Sequence, residues 1–141
     1  MNDFSFNDLE IGFRQEFEAH IDHDQMQKFM EITGDVNPLH RDEVFAQEHG
    51  YPDTVVYGML SASYLSTLAG VYLPGKQSLI HYVEIKFVKP VFPGDTLHIR
   101  GEVTELNDIA GTKQMTLKVE IRNDKDEKVI RGKMKIGFLE K

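Results

Sequence analysis

Positions 58–73 read Gly-Met-Leu-Ser-Ala-Ser-Tyr-Leu-Ser-Thr-Leu-Ala-Gly-Val-Tyr-Leu, apolar or small at nearly every step and without a charge. A helix with no polar face is buried all round. Pro74-Gly75 follows as a breaker and turn pair, so the segment stops there. It is too short, and too rich in Ser, Thr and Tyr, to cross a bilayer. The rest of the chain must therefore supply the material that encloses it.

Four later segments can do so, each with an apolar residue at every second position and turn residues between them. In 81–89, His81, Val83, Ile85 and Phe87 share a parity, and Pro90 with Pro93-Gly94-Asp95 closes the segment. In 96–104 the inward set is Leu97, Ile99, Gly101 and Val103; in 115–121 it is Met115, Leu117, Val119 and Ile121. In 130–138 it is Ile130, Gly132, Met134, Ile136 and Phe138. A further strand, 13–21, precedes the helix, with Phe13, Phe17 and Ile21 on one parity. Strands with one greasy face need a cover, and the apolar helix provides it. The simplest arrangement is an antiparallel sheet wrapped around a long central helix, although patterning alone also permits other α+β folds.

At 141 residues, with 40% apolar and 28% charged residues and no extended polar tract, the chain is one domain spanning 1–141. A net charge of −7 and the lack of a long basic block argue against nucleic acid as a partner. A local basic rim could still meet an anionic ligand, and Lys76, Lys86, Lys89, Arg100, Arg131, Lys133 and Lys135 are available for one. The absence of Cys excludes disulfides, thiolate metal sites and a cysteine nucleophile. The first residues carry acids and no apolar core segment, unlike a signal peptide, so the reading is a cytoplasmic protein with no membrane partner.

Chemistry concentrates between two short helices, 22–32 and 42–49. Asp22 is placed to cap the first. Pro38 lacks a backbone N–H and pushes Asn37 toward extended geometry, so no helix runs through this stretch. Gly34 suits unusual backbone angles, and Asp35 and Asn37 suit a turn. On such a reversing loop Asp35 and His40 can enter one cavity, which a spacing of five on a helix would not allow. Asp-x-Asn-Pro is also ordinary turn chemistry, so residue types alone leave both readings open. His20, Asp22, His23 and Asp24 straddle a strand end and a helix start, which does not converge ligands on a metal.

The run Gly34-Asp35-Val36-Asn37-Pro38-Leu39-His40 resembles the signature of the (R)-specific enoyl-CoA hydratases, the MaoC-like dehydratases of the hot-dog superfamily. Gly58-Met59-Leu60-Ser61-Ala62-Ser63 and Val88-Lys89-Pro90-Val91-Phe92-Pro93-Gly94-Asp95 support the likeness, which extends over 13–138. It implies a hot-dog fold of the α+β class and a hydro-lyase that adds water reversibly, and syn, to trans-2-enoyl thioesters, giving (R)-3-hydroxyacyl thioesters. It makes Asp35 and His40 the catalytic pair, gives Ser63 a part in orienting them, and places at Gly58 the backbone N–H that holds the thioester carbonyl. The candidate substrate-binding residues are Gly58, Ser63, Asn37 and Tyr57. Two departures lie beside the helix start: Tyr57 stands where relatives commonly carry His, and Asp53 where Gly is common.

Hydration needs a water aimed at the β-carbon, a proton for the α-carbon and stabilisation of charge on the thioester oxygen. A carboxylate and an imidazole can hold the water and exchange protons, and a helix N-terminus favours the oxyanion. We assign water activation to His40 and the α-proton to Asp35. No metal or redox cofactor is then expected; coenzyme A or an acyl carrier enters with the substrate. His81 and His98 read as packed or solvated strand residues and His49 as a helix-end cation. Ser61 and Ser66 read as small packing residues, and Tyr64 and Tyr72 as core or interface. Two alternatives stand beside the hydratase: a hot-dog thioesterase, which the lack of Asp or Glu in 58–73 disfavours, and a non-catalytic acyl-thioester binding module. An exposed sheet edge, and the resemblance, imply a homodimer or a higher assembly built from it.

Overall fold

The computed structural model describes residues 1–139. A 3-10 turn at Phe6–Asp8 leads into β1 (Arg14–His20), then α1 (His23–Thr33), α2 (Pro38–Arg41), α3 (Glu43–Glu48) and α4 (Gly58–Thr67). Four strands follow: β2 (Ser78–Phe87), β3 (Thr96–Ile109), β4 (Thr112–Arg122) and β5 (Lys128–Phe138). They form one antiparallel sheet in the order β1-β3-β4-β5-β2 around α4, the hot-dog arrangement expected. The inward residues of β3 and β4 carry the core: Leu97, Ile99, Val103, Met115, Leu117, Val119 and Ile121 are fully buried. No helix among the described residues is long and apolar enough to cross a membrane.

Local chemistry sets the helix ends. Asp22 caps α1 through the Gln25 N–H, and Gln25 returns a bond to the Asp22 N–H, forming a capping box. Gly34, at φ 74°, ends α1 in the left-handed conformation. Asp42 caps α3. The expected loop at 33–41 contains a helical turn of its own, because proline is tolerated at the first helical position, where its missing N–H costs nothing. Asn37 stays extended, as a residue before proline should, and caps that turn through the Leu39 N–H at 2.9 Å.

Three sequence expectations are corrected. First, α4 stops at Thr67 and a π-helical turn, Leu68–Tyr72, completes the segment. Second, the helix is not buried all round: Leu60, Ser61, Ala62, Leu65, Leu68 and Ala69 face the sheet, while Met59, Ser63 and Ser66 are exposed. A single five-stranded sheet covers only one side of its helix. Third, His81 does not share a face with Val83, Ile85 and Phe87. Ile80 pairs with Ile136 and Tyr82 with Lys135, so His81 is the extra residue of a bulge and Ile80 takes the inward place. The strands also outrun their expected bounds; β3 and β4 meet in a tight hairpin at Ala110-Gly111, both at positive φ.

The outer sheet face is charged. Glu120 is 9% exposed and lies 3.2 Å from Arg122 Nε, 3.5 Å from Arg100 Nη1 and 3.5 Å from Lys128 Nζ. Burial pushes its carboxyl up, but the Arg122 hydrogen bond and the charges of Arg122, Lys128 and Arg100 outweigh this and hold it below its usual range. A depressed carboxylate stabilises the fold above its unfolded value, about 4.3, and that contribution is lost as pH falls through the lower folded value. Glu120→Gln is therefore expected to cost about 1–2 kcal/mol at pH 7, with the gap to the natural protein closing below about pH 4. Urea unfolding at both pH values measures it.

Candidate active site

The C-terminus of α1, the turn after it, the start of α4 and the end of β2 converge on one cavity of about 600 Å³, lined by Phe29, Thr33, Asp35, His40, Tyr57, Gly58, Met59 and Phe87. Most of that lining is apolar, as a small-molecule site requires. Four of the six sequence candidates meet there: Asp35, His40, Tyr57 and Gly58. Asn37 and Ser63 lie outside the lining. Asn37 spends its side-chain oxygen on the α2 cap, and the Ser63 hydroxyl donates to the Leu60 carbonyl of its own helix at 2.6 Å.

The loop that carries the pair is built from its own side chains. Thr33 Oγ1 donates to the Phe29 carbonyl at 2.9 Å and accepts from the Asp35 N–H at 3.3 Å. Asp35 Oδ1 accepts from the Asn37 N–H at 3.1 Å, an Asx turn that aims the carboxylate. His40 rides on α2. Its Nδ1 lies 2.6 Å from the Val55 carbonyl, and since a carbonyl only accepts, Nδ1 carries the proton. Nε2 has no partner among the described residues, so it is the ring nitrogen open to a water or a substrate.

The start of α4 supplies donors. Leu60 and Ser61 N–H groups bond to the Tyr57 carbonyl, whereas those of Gly58 and Met59 belong to the first turn and have no partner among the described residues. Gly58 is constrained by space: a Cβ there would sit 2.9 Å from the Phe87 ring, so glycine lets the end of β2 close over the helix start. Tyr57, 2% exposed, stacks on the His40 ring at 4.2 Å between centroids and donates to the Asp35 carbonyl at 2.6 Å. Asp53 turns inward on its own loop, accepting from the Thr54 N–H at 2.6 Å.

Sequence reading missed Phe29, Thr33, Met59 and Phe87. Phe29 and Thr33 are four apart and so on one face of α1, a signal that was available; Phe87 comes from a remote strand and has none. Four other histidines have contacts elsewhere. His49 Nδ1 lies 2.8 Å from the Phe45 carbonyl at the end of α3, His81 contacts Gln114, and His98 sits 3.4 Å from Glu18. His20 lies 3.4 Å from Thr96. None of the seven basic residues available for an anion lines the cavity. Lys89 pairs with Glu127 and Arg100 with Glu16, while Lys86 stands opposite Arg131 on the outer face.

A second concavity, about 540 Å³, lies on the outer face and includes Glu16, Glu18, His98, Arg100, Glu120 and Arg122. Both of its arginines are engaged in ion pairs: Arg100 with Glu16 at 3.1 Å, Arg122 with Glu120 at 3.2 Å. The cavity with the free imidazole nitrogen and free helix N–H groups is the better reaction site.

Several known proteins resemble this chain over most of its length. The chain is 34% identical over 101 residues to a 3-hydroxybutyryl-CoA dehydratase of Methylorubrum extorquens, covering 72% of this chain and 64% of that one, just under two thirds of that relative's length. It is 33% identical over 115 residues to an (R)-specific enoyl-CoA hydratase of Aeromonas caviae, covering 82% and 86%. The solved R-hydratase PhaJ1 of Pseudomonas aeruginosa superposes with a TM-score of 0.87 at 26% identity, covering 96% and 86%. Residues 7–125 match the family model described as MaoC like domain, and with that match over most of its length the chain belongs to the MaoC-like domain family.

Proposed function

We propose that the protein is an (R)-specific enoyl-CoA hydratase, a hydro-lyase acting on trans-2-enoyl thioesters through Asp35 and His40. The observation that carries this is the shared cavity, in which a carboxylate, an imidazole with a free Nε2 and the open first turn of a helix meet. Relatives at 33–34% identity named as a hydratase and a dehydratase support the reaction class. In hydration, His40 Nε2 takes a proton from water as the hydroxyl bonds to the β-carbon. The α–β double bond shifts its electrons toward the thioester oxygen, where the Gly58 and Met59 N–H groups and the helix dipole hold the charge. Asp35 then gives its proton to the α-carbon as the carbonyl reforms. The proton that His40 gains from water replaces the one that Asp35 gives to the α-carbon, and transfer from His40 to Asp35 closes the cycle. Dehydration runs the same steps backward. Every role is filled by the chain's own groups, so the reaction calls for no metal or redox cofactor. Delivery of both atoms from one face of the alkene gives syn addition. The test is loss of enoyl absorbance with crotonyl-CoA and longer trans-2-enoyl-CoAs, with chiral analysis of the alcohol. Formation of the (R)-alcohol is expected; no turnover at any chain length would overturn the reading.

The working unit is a homodimer in this proposal. Along β2, an unpaired edge, Ile80, Val83 and Phe87 face inward yet are 37%, 47% and 53% exposed, beside the open face of α4 with Met59 at 63%. An apolar strip of this kind on an open edge suits a second copy of the same strand. Val83→Lys would bury an unpaired charge there and is expected to weaken dimerisation at least about 100-fold. Sedimentation velocity over a dilution series measures it, and a monomer for the natural protein would sink the dimer.

A further inference from the structure

We propose that Tyr57 is the positioning residue of the dyad, its phenol fixing Asp35 while its ring fixes His40; this rests on the hydratase reading above. The loop 35–40 docks on the segment 55–57 at three points. Two of them restrain the His40 end: the Val55 N–H donates to the Leu39 carbonyl at 3.0 Å, and His40 Nδ1 donates to the Val55 carbonyl at 2.6 Å. The third is the Tyr57 hydroxyl, donating to the Asp35 carbonyl at 2.6 Å. The remaining bonds to Asp35 come from within its own turn, Thr33 Oγ1 and the Asn37 N–H. Among the described residues, the phenol is therefore the tether that ties the Asp35 end to the frame of the site.

That frame is firm. Val56 N–H donates to the Val91 carbonyl at 2.8 Å, Tyr57 is 2% exposed, and Phe29 packs on its ring at 4.9 Å. The same ring lies 4.2 Å from the imidazole centroid, 28° from parallel. One rigid aromatic thus touches both members of the dyad. Proton transfer through a held water depends steeply on the placement of both groups, so the residue acts through Asp35 and His40.

Tyr57→Phe removes the tether and keeps the stack. It is expected to lower kcat for crotonyl-CoA about tenfold, with KM within a factor of two because the helix-start donors are untouched. Tyr57→Leu removes the stack as well and is expected to lose about 100-fold; should it fail to fold, the phenylalanine variant decides. A residue that merely fills space would lower the melting temperature and leave kcat per folded site unchanged, which would overturn the proposal. Amide exchange at Asn37, whose N–H is held by Asp35 Oδ1, reads the loosening without turnover and should be about tenfold faster in Tyr57→Phe. Unchanged exchange would overturn the positioning role. If the natural protein hydrates nothing while Asn37 exchange still responds, the hydratase reading fails and the tether stands as a structural fact alone.

Discussion

Asp35→Asn and His40→Ala are each expected to slow hydration of crotonyl-CoA about 10³-fold, within the range for general acid–base groups. Neither should unfold the protein. Asp35 is exposed and asparagine keeps the acceptor for the Asn37 N–H, so its effect on stability falls within about 0.5 kcal/mol. His40→Ala gives up a bond to the Val55 carbonyl and the stack on Tyr57, about 1–2 kcal/mol together. His40→Gln, which can still donate to that carbonyl, separates lost chemistry from lost structure and should be as inactive as the alanine variant. The double substitution should be little worse than either single one, because in the proposed mechanism the proton travels between the two groups and half a dyad cannot pass it. Retention of a tenth of the natural rate by folded Asp35→Asn would remove that residue from the reaction.

Why the pair could be found at all in the sequence is a matter of range. Gly34, Asp35, Asn37 and Pro38 act on backbone within a few residues, through a left-handed cap, an Asx turn and a helix start, so their types record what they do. The family likeness supplied the rest, since those turn residues would serve a loop without chemistry equally well. The alternation of β3, β4 and β5 likewise records a one-sided environment, and the sheet follows it. Failures share the opposite cause. Phe87 reaches the cavity, and the Tyr57 hydroxyl reaches Asp35, through pairings many residues away that no local pattern encodes. The bulge at His81 reverses parity partway along β2 with no glycine or proline to announce it. At the β3–β4 hairpin the turn begins at Ala110, at φ 53°, a residue type that does not advertise a left-handed conformation. The helix read as enclosed on every side is open on one, because apolar residues record that a face is to be covered and not whether the single sheet of this chain reaches it.

Gly132→Ala is expected to be the most damaging small substitution in the sheet, costing about 3 kcal/mol or more. Gly58, Gly101 and Gly132 each lie against a close neighbour, and what each would meet separates them. A Cβ at Gly58 would press on the Phe87 ring at 2.9 Å, and one at Gly101 on Leu68 Cδ2, also at 2.9 Å. Both neighbours are side-chain ends that can turn aside, so Gly101→Ala should cost about 1 kcal/mol. At Gly132 the neighbours are backbone: the Glu84 carbonyl oxygen at 1.9 Å and Ile85 Cα at 2.8 Å. No rotamer relieves that contact, and β2 must move away from β5, straining the pairs Ile85–Gly132 and Glu84–Lys133 at the middle of the ladder. The damage should reach function as well, because β2 ends at Phe87, which walls the cavity over Gly58. Urea unfolding should place the Gly132→Ala midpoint far below that of Gly101→Ala, with hydration per folded molecule reduced in the first and near natural in the second. A Gly132→Ala protein within 1 kcal/mol of the natural one would mean that β2 can slide on β5 at little cost, and an edge so loose could neither hold Phe87 over the helix start nor serve as a defined surface for a second copy.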